Sequence, residues 1–126
     1  MNQIFVYGTL MRGEEREGLV AHLSARPATI RGQLWRAPAG YPALLLSGSG
    51  AKITGEVLSL DDTQLLSALD LIEGTREGLY DRIEATIQTE SGSEQAWVYV
   101  MSPLQLRQSG CHPTKATDWR QLTRRR

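Results

Sequence analysis

The chain has 126 residues, a mass of 14.0 kDa and a formal net charge of zero, with 14 Lys and Arg against 14 Asp and Glu. One compact domain is the size class, and surface scaling puts roughly two-thirds of the unfolded area out of solvent, enough for a core without covalent staples. A lone cysteine, Cys111, excludes an intramolecular disulfide, and two histidines offer no ordinary zinc site. No apolar run reaches the ~18 residues of a membrane span, and Ile4–Tyr7 is too short for a signal-peptide core. A soluble, cytoplasmic domain is the expectation.

Taken in order, Ile4-Phe5-Val6-Tyr7 is β-branched and aromatic and stops at Gly8, the pattern of a buried strand ending in a turn. Glu14 to Leu23 has the spacing of a short helix, weakened by Gly18. Ala28, Ile30, Gly32 and Leu34 then alternate with Thr29, Arg31, Gln33 and Trp35, the period of a half-buried strand. Tyr41 to Ser47 is another apolar run, whose Pro42 belongs at a strand start or edge because no amide donor is needed there. The turn Ser47-Gly48-Ser49-Gly50 leads into a strand over Ile53 to Leu60.

The strongest helix signal runs from Asp62 to Ile72. Leu65, Leu66, Leu69 and Ile72 share one face, Asp61 or Asp62 can cap the first amides, and Gln64 follows Asp61 at capping-box spacing. Gly74 supplies the stop. Leu79 to Thr89 alternates as a long strand, joined through Glu90-Ser91-Gly92-Ser93 to Gln95–Met101 as an antiparallel hairpin. Pro103 then opens a segment that reads as irregular and basic. Residues 107–126 carry a net charge of +5 and the first 106 a net −5, yet Arg124, Arg125 and Arg126 are explained by a solvated chain end. No nucleic-acid partner is expected, because the acidic body offers no wide basic face. Five or six strands with one good helix give an α+β fold with a curled sheet or small barrel.

Few residues offer chemistry. The turn Tyr7-Gly8-Thr9-Leu10 leaves a buried strand, and glycine lets successive amides converge into a nest for a carboxylate or phosphate. Neither a complete Gly-x-Gly-x-x-Gly nor a Gly-x-x-x-x-Gly-Lys occurs, so a nucleotide loop is not supported. Glu73 falls at the negative end of the helix dipole, where a carboxylate is disfavoured, and burial beside Leu69 and Ile72 acts in the same direction. Such an acid suits a general base near neutral pH, against the alternative of a solvated last-turn glutamate. Cys111 and His112 are adjacent, which seldom lets two side chains meet. Trp35, Trp97 and Tyr99 read as core or rim aromatics, and Tyr99 can also line a pocket.

Two segments together, FVYGTLMRGE near the start and LDLIEGTREGLYDR later, followed by AWVYVM, resemble the γ-glutamylcyclotransferase-like family. That family includes γ-glutamylamine cyclotransferases, plant avirulence-induced proteins and small bacterial members. The resemblance extends from Ile4 to about Met101, with Tyr41-Pro42-Ala43-Leu44 and Thr54-Gly55-Glu56-Val57 in the expected order, and Asp118-Trp119 matches a pair found near the end of bacterial members.

The resemblance implies a small mixed β-barrel with flanking helices and a pocket at one mouth, in a single domain over residues 1–126. It implies that Tyr7, Gly8, Thr9 and Leu10 hold a γ-glutamyl group through backbone amides, that Glu73 is the catalytic acid–base, and that Tyr80 and Tyr99 stand at the pocket. Arg82 recurs in the family as a structural support. Many members carry Asn or His near Arg16–Gly18, where this chain reads Glu14-Glu15-Arg16-Glu17-Gly18, which alters the expected pocket rim.

The implied activity is cyclisation of a γ-glutamyl amine or peptide to 5-oxoproline with release of the amine, consuming neither water nor cofactor. A pocket that only binds a small carboxylate metabolite is the alternative. Neither metal nor cofactor is expected, since proton transfers by a carboxylate need no Lewis acid. Chelators should therefore leave turnover unchanged, and metal analysis of the purified protein should find none in stoichiometric amount; a metal held by Glu73 would contradict this.

Overall fold

The structure is a computed structural model that describes residues 2–8, 10, 11, 18 and 20–123. The first apolar run forms β1 (Gln3–Val6), and the alternating stretch after it forms β2 (Ala25–Arg36), with Ala28, Ile30 and Leu34 buried and Arg31 and Gln33 exposed. Pro42 is the first residue of β3 (Pro42–Leu46), and a turn closed by Gly50 N–H on the Ser47 carbonyl (3.0 Å) leads to β4 (Ala51–Ser59). After the helix α1 (Thr63–Glu73), β5 (Asp81–Thr89) and β6 (Gly92–Val100) form a hairpin with Thr89 opposite Gly92.

Pairing closes the sheet on itself. β1 lies between β4, antiparallel with Phe5 opposite Val57, and β6, parallel with Ile4 beside Trp97. β6 pairs with β5, β5 meets β2 at Ala28–Thr89 and Thr29–Gln88, and β2 returns to β4 from Ala25–Leu58 to Gly32–Ala51. The ring β2-β4-β1-β6-β5 is a closed mixed barrel, which leaves those strands no open edge. β2 is long enough to serve twice: beyond Gly32 it leaves the ring and pairs with β3. Inward side chains such as Phe5, Ile30, Ile53, Val57, Ile87 and Val98 fill the interior and are all buried.

The segment after residue 102 departs from the expected irregularity. It contains α2 (Pro103–Gln108), the short strand β7 (His112–Pro113) paired to the end of β2, and the helical turn α3 (Arg120–Thr123). Pro103 starts a helix here rather than breaking structure: Ser102 and Gln105 form a reciprocal capping box, and proline at the first position loses no hydrogen bond. Trp119 is 2% exposed, and the Thr54 N–H donates to the Thr117 carbonyl at 2.7 Å, tying this segment to β4. Of the helix expected over residues 14–23, half lies outside the described residues, and Val20–Leu23 is a turn closed by Leu23 N–H on the Val20 carbonyl (3.0 Å). Of the two caps expected for α1, Asp62 accepts the Gln64 N–H (2.7 Å), and the capping-box spacing from Asp61 is not used.

At the end of the barrel where β1, β2 and β6 begin and β5 finishes, one carboxylate clips four strands. Glu94 on β6 accepts from Arg26 on β2 (2.9 and 3.0 Å), Gln3 on β1 (2.9 Å) and Thr89 on β5 (2.8 Å). The Arg26 hydrogen bonds, followed by those from Gln3 and Thr89, hold the Glu94 carboxyl at about 2, against an ordinary 4.5. A carboxyl depressed on folding stabilises the native state above its unfolded value, and that contribution is lost as pH falls through the folded one. Replacing Glu94 by Gln should lower the urea midpoint at pH 7, and the gap between parent and variant should close between pH 4.5 and about 2. A gap constant over that window would show that the carboxylate charge does not hold the clip.

Candidate active site

The opposite end of the barrel is built from chain ends. β1 runs out into Tyr7 and Gly8, β6 finishes beside Tyr99, β3 starts at Pro42, β5 starts after Tyr80, and α1 stops at Glu73. Between them is a half-open cavity of about 120 Å³, lined by Phe5, Val6, Tyr7, Gly8, Leu10, Tyr41, Pro42, Ile72, Glu73, Leu79, Tyr80 and Tyr99. The volume is well below the roughly 300–1,000 Å³ of drug-sized sites, so it suits an amino-acid-sized group. Of the residues singled out in the sequence, Tyr7, Gly8, Leu10, Glu73, Tyr80 and Tyr99 all meet here; Thr9 lies outside the described residues.

Each contributor is held by a local reason. Gly74 takes a left-handed conformation (φ 69°), and its N–H closes α1 on the carbonyls of Asp70 and Leu71. The Leu79 N–H then donates to the Gly74 carbonyl (3.1 Å), and the Gly78 carbonyl accepts from the Gln105 side chain of α2 (2.9 Å). That tight return places Glu73 and Tyr80 on the same cavity. Across from them, Gly8 opens a turn closed by Met11 N–H on the Gly8 carbonyl (3.0 Å). A Cβ at Gly8 would stand 2.4 Å from Pro42 Cγ, so only glycine allows this turn to pack on the start of β3.

The three tyrosine hydroxyls are all engaged. Tyr7 donates to the Tyr99 carbonyl (2.7 Å), Tyr80 donates to the Pro42 carbonyl, and Tyr99 donates to Asp70 Oδ1 (2.7 Å). Burial pushes all three phenols up, and the negative charge of Glu73 adds to it in each case. For Tyr99 the Asp70 carboxylate is a further cause acting upward, whereas for Tyr7 a backbone hydrogen bond at Leu44 acts downward. The site therefore holds neutral phenols around one carboxylate.

Asp70, one turn before Glu73, escaped the sequence reading. Its carboxylate takes a two-pronged contact from Arg82 (2.7 and 3.1 Å) in addition to the Tyr99 hydroxyl, while the Arg82 guanidinium stacks on Trp97 at 4.3 Å. This bracket pins the last turns of α1 to the β5–β6 hairpin, in keeping with a structural part for Arg82. The one available signal was a carboxylate on the inward side of α1 between Leu69 and Glu73. Pro42 also escaped, since its carbonyl rather than its side chain does the work.

Other candidates do not gather. Cys111 is buried, with its thiol pushed up by burial, while His112 points to solvent on β7. His22 is exposed, with its ring 3.8 Å from Asp61. Asp118 pairs with Arg120 (3.0 Å), remote from the cavity lining. Among the described residues no group of three or more His, Cys, Asp or Glu could hold a metal ion, and no helix is long and apolar enough to cross a membrane.

Comparison with known proteins shows the family and the fold. The chain matches the family described as gamma-glutamyl cyclotransferase, AIG2-like, over residues 4–121. It is 32% identical over 128 residues to the gamma-L-glutamyl-butirosin B gamma-glutamyl cyclotransferase of Niallia circulans, covering 96% of this chain and 77% of that one. Among solved structures, an AIG2-like protein of Mus musculus superposes with a TM-score of 0.67 at 31% identity, over 84% of this chain and 82% of that one. YkqA from Bacillus subtilis shares the fold (TM-score 0.73, 24% identity) over 95% of this chain, which spans 40% of that longer protein. The cavity between the Tyr7–Gly8 turn and the end of α1 is thus carried on a chain that belongs to the gamma-glutamyl cyclotransferase, AIG2-like family.

Proposed function

We propose that the protein cyclises a γ-glutamyl amine or peptide to 5-oxoproline and releases the amine, with Glu73 as the acid–base. The observation that carries this reading is the meeting of Glu73 with Tyr7, Gly8 and Leu10 on one cavity of amino-acid size. Backbone N–H groups of the Tyr7–Leu10 turn receive the substrate α-carboxylate, fixing one end of the glutamyl group. Glu73 takes a proton from the α-ammonium. The freed amine attacks the γ-carbonyl carbon and closes a five-membered ring. The C–N bond to the leaving amine then breaks as Glu73 returns its proton to the departing nitrogen, and the second proton shed by the ring nitrogen follows through the same carboxylate, so that 5-oxoproline and an ammonium leave.

No water and no electron acceptor enter the balance. Because the reacting groups belong to one molecule, the protein's task is to hold the bent conformer, from which proximity supplies most of the advantage. The cavity admits the glutamyl end, and the leaving amine remains at the mouth beside Ile72 and Leu79. The Niallia circulans relative is named for gamma-L-glutamyl-butirosin B, a γ-glutamyl compound, which supports this reading.

Glu73→Gln keeps size and shape but cannot accept the ammonium proton. Release of 5-oxoproline from a panel of γ-glutamyl compounds should fall by about 10²–10⁴, the usual share of general acid–base catalysis. Binding of 5-oxoproline should survive, and the variant should remain folded. Turnover at the parent rate in this variant would end the mechanism. A parent protein that binds 5-oxoproline but releases it from no γ-glutamyl compound would instead be a carboxylate-binding module.

Gly8→Ala tests the turn. Its Cβ would clash with Cγ of Pro42, the residue whose carbonyl receives the Tyr80 hydroxyl. Overpacking of this kind costs about 1–3 kcal/mol. Where the strain is relieved by displacing the turn, KM should rise, by at most the roughly five- to hundredfold that such an energy corresponds to, read from initial rates. An unchanged KM would show that the turn does not touch substrate.

A further inference from the structure

All three buried phenols have their single proton committed to the protein. A backbone carbonyl can only accept, so Tyr7 must donate to Tyr99 O and Tyr80 to Pro42 O, and the Asp70 carboxylate, itself paired with Arg82, must accept from Tyr99. What the Tyr80 and Tyr99 oxygens retain is lone pairs, while the Tyr7 oxygen also takes the backbone hydrogen bond at Leu44 and keeps one fewer. We propose that Asp70 is a positioning residue that keeps the Tyr99 hydroxyl an acceptor toward the cavity, beside the hydroxyls that backbone carbonyls hold in the same sense, so that the site selects a primary ammonium.

The chemical consequence concerns the nucleophile. An ammonium that has given one proton to Glu73 keeps two N–H bonds and gains one lone pair. Acceptors around it engage the N–H bonds and leave the lone pair for the carbonyl carbon. A phenol turned to donate would hydrogen-bond that lone pair and mask it. The charge of Glu73 bears on all three phenols, as expected if their oxygens and the carboxylate surround one small volume. The acceptors of a substrate, its α-carboxylate and γ-carbonyl, must then find donors elsewhere, which is the part given to the Tyr7–Leu10 amides.

This inference rests on the γ-glutamyl reading of the site, and its test avoids turnover. L-norvaline and pentanoate differ only in the α-ammonium, and neither can cyclise. Titration of the intact protein by NMR should show norvaline binding at least about tenfold more tightly, the scale of one hydrogen bond to a charged group. Tyr99→Phe keeps the ring and the Asp70–Arg82 pair, and should shrink that preference by about tenfold while leaving pentanoate unchanged. Asp70→Asn offers Tyr99 a donor and frees its proton to turn inward, so norvaline should weaken at least as much.

The double variant separates positioning from support. With no Tyr99 hydroxyl left to reorient, Asp70→Asn with Tyr99→Phe should bind norvaline no worse than Tyr99→Phe alone. Additive losses, or equal weakening of norvaline and pentanoate, would make Asp70 a structural residue and overturn the inference. If the Asp70 variants fail to fold, Tyr99→Phe still overturns the inference by leaving the norvaline preference undiminished. Equal binding of the two ligands to the parent also overturns it, whatever the turnover. A strong norvaline preference with no 5-oxoproline released would keep the acceptor set and remove the enzymatic reading.

Discussion

The contact between Asp70 and the pair Arg82 and Tyr99 is the constraint on which the cavity depends. Without it, the last turns of α1 would rest on the barrel through a thin apolar seam: Leu69 is buried, but Leu71 and Ile72 are 65% and 42% exposed. Asp70 supplies the orientation that this seam lacks. The Arg82 fork fixes the angle of the carboxylate, and the Tyr99 hydroxyl fixes its distance from β6. Glu73 follows one turn later, so the geometry of the bracket is passed on by the helix. Both ionic side chains are about three-quarters covered, and removing one would strand the other in poor solvent. The same interaction therefore stabilises the hairpin–helix junction and sets where the acid stands.

The barrel divides its labour between two ends. One end is sewn by the Glu94 clip, where β2 and β5 close the ring. The other is left as a set of terminating elements whose backbone groups are satisfied by phenols rather than by neighbouring strands. Pro42 O and Tyr99 O each take a tyrosine hydroxyl, so side chains continue the hydrogen bonding where the sheet stops. A closed ring is what permits such an irregular mouth, because no strand edge depends on it for pairing.

Much of the architecture was legible because burial leaves a period. The alternation through Ala28–Trp35 and Ile83–Ile87 identified half-buried strands, and the Leu65–Ile72 stripe identified α1. The C-terminal helix was missed because proline was weighed as a breaker, while Ser102 and Gln105, which make Pro103 a starting residue, were not read together. Glu73 stood out because a carboxylate at a helix C-terminus has a cost that invites a reason. Asp70 and Pro42 did not, since their partners lie 12 and 38 residues away and neither residue breaks a local rule. Local pattern shows what an element is, whereas a site assembled from five chain ends is decided by closure of the barrel.

The location of Glu73 acquires a physical rationale on the proposed chemistry. A carboxylate and an ammonium brought together in a small, largely apolar cavity can remain an ion pair or exchange a proton and become two neutral groups. Water favours the ions; burial and the negative end of α1 favour the neutral pair. The neutral pair contains the free amine that cyclisation requires. Neutral phenols add lone pairs without adding charge, so they hold the nitrogen while favouring its protonated form less than a second carboxylate would. A helix end that is a poor place for a carboxylate in stability terms is for that reason a good place for a base.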